Sequence, residues 1–199
     1  MPINEKYLAQ FEPDFYYHVY NRCHPHKKLF TEEKNYYFFL SLLKRFTSEI
    51  LDIYAYALIP NHFHLLVKVK PIPAGEKSDT HKVISAQFRR LFVAYTNSLN
   101  KMQDDSGSLF QTPYRRIKIG TDAYFTQVIY YLHYNPVHHN ICHHPSQYKF
   151  SSYNSFLSNA QSDLKRKEVI EWFGGIDLFK KYHELQSDQF TQLPFYIEH

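Results

Sequence analysis

Asp52-Ile53-Tyr54-Ala55-Tyr56-Ala57-Leu58-Ile59-Pro60-Asn61-His62-Phe63-His64-Leu65-Leu66-Val67-Lys68-Val69 reads as strand, turn and strand in succession. Aromatic and β-branched residues recur in both arms and suit a pleated, half-buried surface. Pro60 and Asn61 have the chemistry of a short turn, Pro by presetting φ and Asn by bonding to nearby backbone. The expected elements are a strand over 52–58, a turn over 59–61 and a strand over 62–69, paired as an antiparallel hairpin. Residues two apart on a strand share a face. His62 and His64 therefore project together, while Phe63, Leu65 and Val67 point the other way, into a core.

Upstream of the hairpin, Phe15 to Tyr20 has strand composition, and a polar stretch, Asn21 to Lys28, follows it. Thr31 is placed to cap a helix with Glu32 and Glu33 in its first turn, where the dipole favours negative charge. Phe38, Phe39, Leu42, Leu43 and Phe46 then recur at helical spacing. Downstream, Pro71–Asp79 reads as a loop, and a second helix is predicted from Asp79 or Thr80 to Leu99. Its inner stripe is Ile84, Phe88, Leu91, Phe92, Tyr95 and Leu99. Asn100–Thr112 is rich in Gly, Ser and Asp and reads as a mobile loop. A strand over Tyr114–Ile119 follows. Thr121 then caps a third helix expected to end near Asn135, because Pro136 disfavours helical geometry in the residue before it.

Strand-helix-strand repeated around a hairpin is the pattern of a ferredoxin-like split βαβ fold. The expected class is α+β, an antiparallel sheet with helices on one face. After Ser158 the text turns to charged helical patterns, Asp163–Phe173 and Ile176–Leu185, separated by Gly174-Gly175. This suggests a catalytic domain over 1–158 and a helical C-terminal extension over 159–199.

With 199 residues, one core is affordable. Eighteen Tyr and 17 Phe accompany a single Trp, and flat amphipathic rings suit both sheet edges and stacking on bases. A net charge of +4, with 13 His besides, permits a nucleic-acid partner without requiring one. No basic-then-apolar leader is visible and no apolar run is long enough to span a bilayer, so a cytoplasmic location is expected. Two cysteines without a Cys-x-x-Cys pair argue against a disulfide framework or a cysteine-based zinc site.

Two imidazoles on one rigid face suit a divalent cation. Thirteen histidines in a chain of this length give about one His-x-His by chance, so the strand context carries the weight. The other instance, His24-Pro25-His26, falls in a loop where Pro25 breaks the alternation. On the third helix Tyr131 and Asn135 are four apart and share a face. An Asn135 amide oxygen could complete a His-His-Asn site and bring the Tyr131 phenol close to it.

Four segments together resemble a known family: Tyr17-His18-Val19-Tyr20-Asn21-Arg22, Ala57-Leu58-Ile59-Pro60-Asn61-His62-Phe63-His64-Leu65-Leu66-Val67, Tyr131-Leu132-His133-Tyr134-Asn135-Pro136-Val137 and Phe150-Ser151-Ser152-Tyr153. In that order the chain is similar to the REP-associated tyrosine transposases, within the single-tyrosine His-hydrophobe-His transposases of small insertion sequences. The resemblance implies His62 and His64 as metal ligands, Asn135 as the polar third ligand, and Tyr131 as a nucleophile that leaves a 5′-phosphotyrosine and a free 3′-hydroxyl. The family often has a Trp-Gln-x-Arg-like segment where this chain reads Phe110-Gln111-Thr112-Pro113-Tyr114-Arg115-Arg116. It also often has Arg-Ala-Gly where this chain has His138-His139-Asn140.

The expected activity is therefore metal-dependent cleavage and rejoining of single-stranded or hairpin DNA, with Mg²⁺ or Mn²⁺ as the ion, in the cytoplasm at the nucleoid. Related transposases include dimers that share active sites, so a homodimer is compatible with the reading. Arg22, Arg89, Arg90, Arg115, Arg116 and Lys118 are the candidates for phosphate contact, with Arg115 and Arg116 favoured because they open a strand beside the third helix. The rival readings are a hydrolase that uses metal-activated water and a DNA-hairpin-binding protein without turnover.

Overall fold

The computed structural model describes residues 7–71 and 79–185. Most of the predicted 71–79 loop and the last residues of the C-terminal extension thus lie outside the described residues. Four strands, β1 (Tyr16–Arg22), β2 (Leu51–Ile59), β3 (His62–Val69) and β4 (Arg115–Ile119), form one antiparallel sheet in the order β2-β3-β1-β4. Helix α1 (Glu33–Thr47) joins β1 to β2, and α2 (Thr80–Gln103) lies between β3 and β4 in the chain. That order and that pairing are those of the ferredoxin-like split βαβ fold. The hairpin turns at Pro60-Asn61. Pro60 also anchors the β1–α1 connection, its carbonyl accepting from the Leu29 and Phe30 amides.

The sheet is buried on both faces, and the alternation along β3 sorts residues between two cores. Phe63, Leu65 and Val67 join Tyr17 and Val19 against α1 and α2, where Phe39, Leu43, Phe88, Leu91 and Tyr95 pack. Leu66 faces the opposite way, with Tyr54, Ala55 and Ala57, onto α3 (Asp122–His138). Helix α3 is buried continuously from Val128 to Pro136. A helix apolar on all sides needs cover on all sides. The sheet covers one flank, and α4 (Tyr153–Phe156), α5 (Arg166–Trp172) and α6 (Ile176–Leu185) supply Tyr153, Phe156, Val169 and Phe179 to the same core.

Local chemistry moves several predicted boundaries. The N-cap of α1 is Glu32, not Thr31: the Asn35 side chain turns back and its oxygen accepts from the Thr31 and Glu32 amides and from the Thr31 hydroxyl. Helix α2 is capped by Asp79, which accepts from the Lys82 amide, and it runs to Gln103. The predicted mobile loop is therefore shorter than Asn100–Thr112, and Leu109 and Phe110 within it are buried in the first core. The Gln111 amide donates to the Arg22 carbonyl, tying that segment to the end of β1. Helix α3 passes through Pro136 to His138. The missing proline N–H falls in the last turn, and the His139 amide restores the pattern by donating to the Asn135 carbonyl. After α5, Gly174 at φ 80° and Gly175 at φ 120° close a Schellman motif, their amides donating to the Glu171 and Ile170 carbonyls. The positive φ at Gly174 is what favours glycine there, since the atom a Cβ would meet, Leu178 Cδ1 at 2.9 Å, ends an exposed side chain that can move aside. Among the described residues, no helix is long and apolar enough to cross a membrane.

Candidate active site

Sheet register and the helix behind it bring three distant segments, β1, β3 and α3, to one place. On β3, His62 and His64 lie on one face as their spacing predicts, with ring centroids 4.9 Å apart. Asn135 reaches them from α3, its Oδ1 3.0 Å from His62 Nε2. The Tyr131 ring stands edge-on to His64 at 5.4 Å. All four side chains come from a single chain. Tyr131 is only 1% exposed, so its phenol is covered by the surrounding elements.

Two further histidines join this group. His18 on β1 is buried next to His64, with its Nε2 2.9 Å from His64 Nδ1, and its ring faces Tyr131 at 5.9 Å. His139, which caps the end of α3, sets its ring 4.7 Å from that of His62. Burial holds His18 neutral, with its pKa lowered to about 3. His64 is pushed well below the usual histidine range, first by burial and then by the neighbouring charges that His62, His18 and His139 would carry. An imidazole kept neutral keeps a lone pair to offer.

The donor chemistry fits a divalent cation. His64 Nε2 is buried without a hydrogen-bond partner among the described residues, and a cation would give that nitrogen one. His62 Nδ1 lies 2.9 Å from Asn61 Oδ1 and His62 Nε2 lies 3.0 Å from Asn135 Oδ1. Both amide oxygens accept, so a neutral His62 can donate to only one of them. At the other, two lone pairs oppose each other, and a cation between them resolves the conflict. Among the described residues, no group of three or more His, Cys, Asp or Glu side chains is arranged to hold a metal ion. Two imidazoles, His62 and His64, and the Asn135 amide oxygen are the residues that would hold such an ion.

The basic residues divide by strand face. Arg22 is exposed and sits opposite His62 in the β1–β3 register. Arg115 lies opposite Tyr20 on the histidine face, with its guanidinium over the Tyr7 and Tyr20 rings. Arg116 points to the other side. It is 9% exposed, its Nε donates to the Ala9 carbonyl at 2.7 Å, and it stacks over Phe11 and Tyr114. Strand alternation thus turns Arg116 away from the histidines and onto the N-terminal segment, which it fastens. Lys118 shares that side, paired with Glu12 and set over Phe15. Arg89 and Arg90 are exposed on α2, across the sheet from the histidines.

Behind the site a second polar chain crosses the α3 core. His183 Nδ1 is 2.8 Å from the Phe179 carbonyl, which can only accept, so the proton is on Nδ1. His183 Nε2 must then accept from His133 Nδ1 at 2.9 Å, and His133 Nε2 accepts from the Ser152 hydroxyl at 2.9 Å. The Ser152 hydroxyl has one proton and also reaches the Tyr56 carbonyl at 3.2 Å; the shorter contact gives that proton to His133, and burial keeps both rings neutral. Burial lowers the His183 pKa from 6.5 to about 4, and it takes His133 well below 6.5. Below pH 6.5 the unfolded chain takes up protons that the fold refuses. Stability is thus complete above that pH and is lost as pH falls towards 4. His183 alone accounts for about 3 kcal/mol across that window, at ~1.4 kcal/mol per pH unit. Urea midpoints of metal-free protein should fall steeply between pH 7 and 4.5, and equal midpoints would exclude the neutral relay.

Spacing together with the family resemblance singled out His62, His64, Tyr131 and Asn135 as candidates, but not His18, His139 or the His133–His183 relay. Alternation within β1 did put His18 and Tyr20 on one face. That this face is the one carrying His64 depends on β1 pairing with β3. His139 was hidden by the expectation that α3 stops before Pro136.

No protein-family model and no curated protein matches the chain. Among solved structures it is similar to that of a REP-associated tyrosine transposase bound to a REP hairpin, with a TM-score of 0.59 and 15% sequence identity over 76% of this chain and 83% of that one. At that identity, the similarity establishes a shared fold, extending over most of both chains.

Proposed function

We propose that this protein cleaves and rejoins single-stranded or hairpin DNA in the cytoplasm, at the nucleoid, through a covalent phosphotyrosine at Tyr131. The observation that carries the reading is the convergence of His62, His64, Asn135 and Tyr131 around one buried, unpartnered imidazole nitrogen. The fold shared with a hairpin-bound transposase supports it. His62 and His64, with the Asn135 oxygen, hold a divalent ion, Mg²⁺ or Mn²⁺. When bound, such an ion withdraws charge from a non-bridging phosphate oxygen. The Tyr131 oxygen forms a bond to phosphorus as the bond from phosphorus to the 3′-oxygen breaks. The phenol gives up its proton and the departing 3′-oxygen takes one up, leaving a 5′-phosphotyrosine and a 3′-hydroxyl. The phosphodiester's energy stays in the new bond, so the reverse reaction rejoins DNA without ATP.

Tyr131 is buried in the core between the sheet and α3–α6, so reaction requires the surrounding elements to open and admit the scissile phosphate. The same burial favours one alternative, a hairpin-binding protein that does not turn over. A hairpin oligonucleotide labelled at its 3′ end separates these readings. Cleavage through Tyr131 carries the label onto the protein in an SDS-stable adduct, whereas a hydrolase releases it and a binder leaves the DNA intact. Absence of an adduct in both Mg²⁺ and Mn²⁺ would defeat the proposal.

The two strand arginines should behave differently. Arg115→Ala is expected to weaken hairpin binding and lower the salt slope by about one unit, as for the loss of one phosphate contact. Arg116→Ala should leave the slope unchanged and destabilise the fold by about 1–3 kcal/mol through the acceptors it strands. Fluorescence anisotropy against salt and urea denaturation measure the two effects.

A further inference from the structure

We infer that His18 is a positioning residue that fixes the tautomer of His64 and so aims the lone pair of His64 Nε2 at the metal position. The inference rests on the proposed reading of His64 as a ligand and extends it to a residue on another strand.

His18 and His64 are both buried, and their rings lie 5.1 Å apart and nearly parallel, joined by the 2.9 Å contact between His18 Nε2 and His64 Nδ1. One of these nitrogens donates and the other accepts. If His18 donates, the His64 proton sits on Nε2, leaving a buried N–H directed at no acceptor among the described residues. If His64 donates from Nδ1, its Nε2 becomes a free lone pair on the ring that stands 4.9 Å from that of His62, and His18 carries its own proton on Nδ1. Only the second arrangement offers a ligand. Each arrangement buries one ring N–H, at His64 Nε2 in the first and at His18 Nδ1 in the second, so the gain of a ligating lone pair on His64 decides between them.

The sheet makes the contact rigid. β1 and β3 are hydrogen-bonded neighbours, with Tyr20 opposite His64 and His18 opposite Leu66. His18 is thus the diagonal partner of His64 on the shared face. Tyr20 stacks on both rings, at 4.8 Å from His18 and 5.4 Å from His64, which limits their rotation. His18 itself is one residue further from the metal position and acts through His64 alone.

Nitrogen-15 NMR of the metal-free protein reads the tautomer directly. The expected result is His64 protonated on Nδ1 in the wild type. His18→Phe keeps an aromatic ring in the stack but removes the acceptor, and it should shift His64 towards the Nε2-protonated form and weaken Mn²⁺ binding 10- to 100-fold by calorimetry. His18→Gln places an amide oxygen near the former Nε2 and should restore Mn²⁺ affinity to within about threefold of wild type. His64 protonated on Nε2 in the wild type, or Mn²⁺ affinity unchanged in His18→Phe, would overturn the inference. Wild-type protein that binds no Mn²⁺ would defeat the metal reading itself, while the tautomer measurement would still decide what His18 does.

Discussion

Tyr131→Phe should form no SDS-stable adduct with a hairpin oligonucleotide under conditions where the wild type does. The change deletes one oxygen from a ring that is 1% exposed and packed in the second core, so the volume and the ring contacts to His18 and His64 remain. Fold and hairpin affinity should therefore survive. The reaction cannot, because no other atom supplies the bond to phosphorus. The neighbouring Tyr130 and Tyr134 pack against each other, their rings tilted and 4.5 Å apart, whereas the Tyr131 ring contacts those of His18 and His64. An adduct of undiminished yield from the Phe variant would move the nucleophile elsewhere. Cleavage without an adduct in the wild type would make the phenol structural.

His64→Ala tests the other half of the site. A metal contributes several kcal/mol to phosphoryl transfer, so single-turnover cleavage in Mg²⁺ or Mn²⁺ should drop about 100-fold or more. The imidazole is 4% exposed and lies among the His18, His62, Tyr20 and Tyr131 rings. Its removal should also cost about 1–3 kcal/mol of stability through the cavity and the His18 nitrogen it leaves without His64. A thermal melt alongside the kinetics keeps the two effects apart. A folded variant that cleaves at the wild-type rate would remove His64 from the metal site.

Much of the molecule was legible one segment at a time. The β2–β3 hairpin was readable because a proline-containing turn separates two arms of strand composition, and the period of two then assigned the face of each histidine. The inner stripe of α2 was readable from its period of 3.6, and Ile84, Phe88, Leu91, Tyr95 and Leu99 are indeed buried. Periodicity failed on α3, whose residues are buried on every side, because a uniformly apolar helix carries no directional signal. The Pro136 rule misplaced its end, since a proline in the last turn forfeits a bond the helix can do without. For the arginines, residue type could not separate Arg115 from Arg116. Adjacent strand positions face opposite ways, and only the neighbours show which way leads to the histidines.

The amino-acid string settles what is local: which stretches extend or coil, where most turns and caps fall, and that His62 pairs with His64 and Tyr131 with Asn135, because those relations span less than two helical turns. It leaves open how the two pairs meet. Their convergence, the addition of His18 and His139, and the burial of the phenol in the second core arise from antiparallel register and from helices packed on both sides of one sheet. These are contacts between residues up to about a hundred positions apart. Their energies depend on which surfaces remain to be covered once every element has formed, and no window of neighbouring residues contains that information.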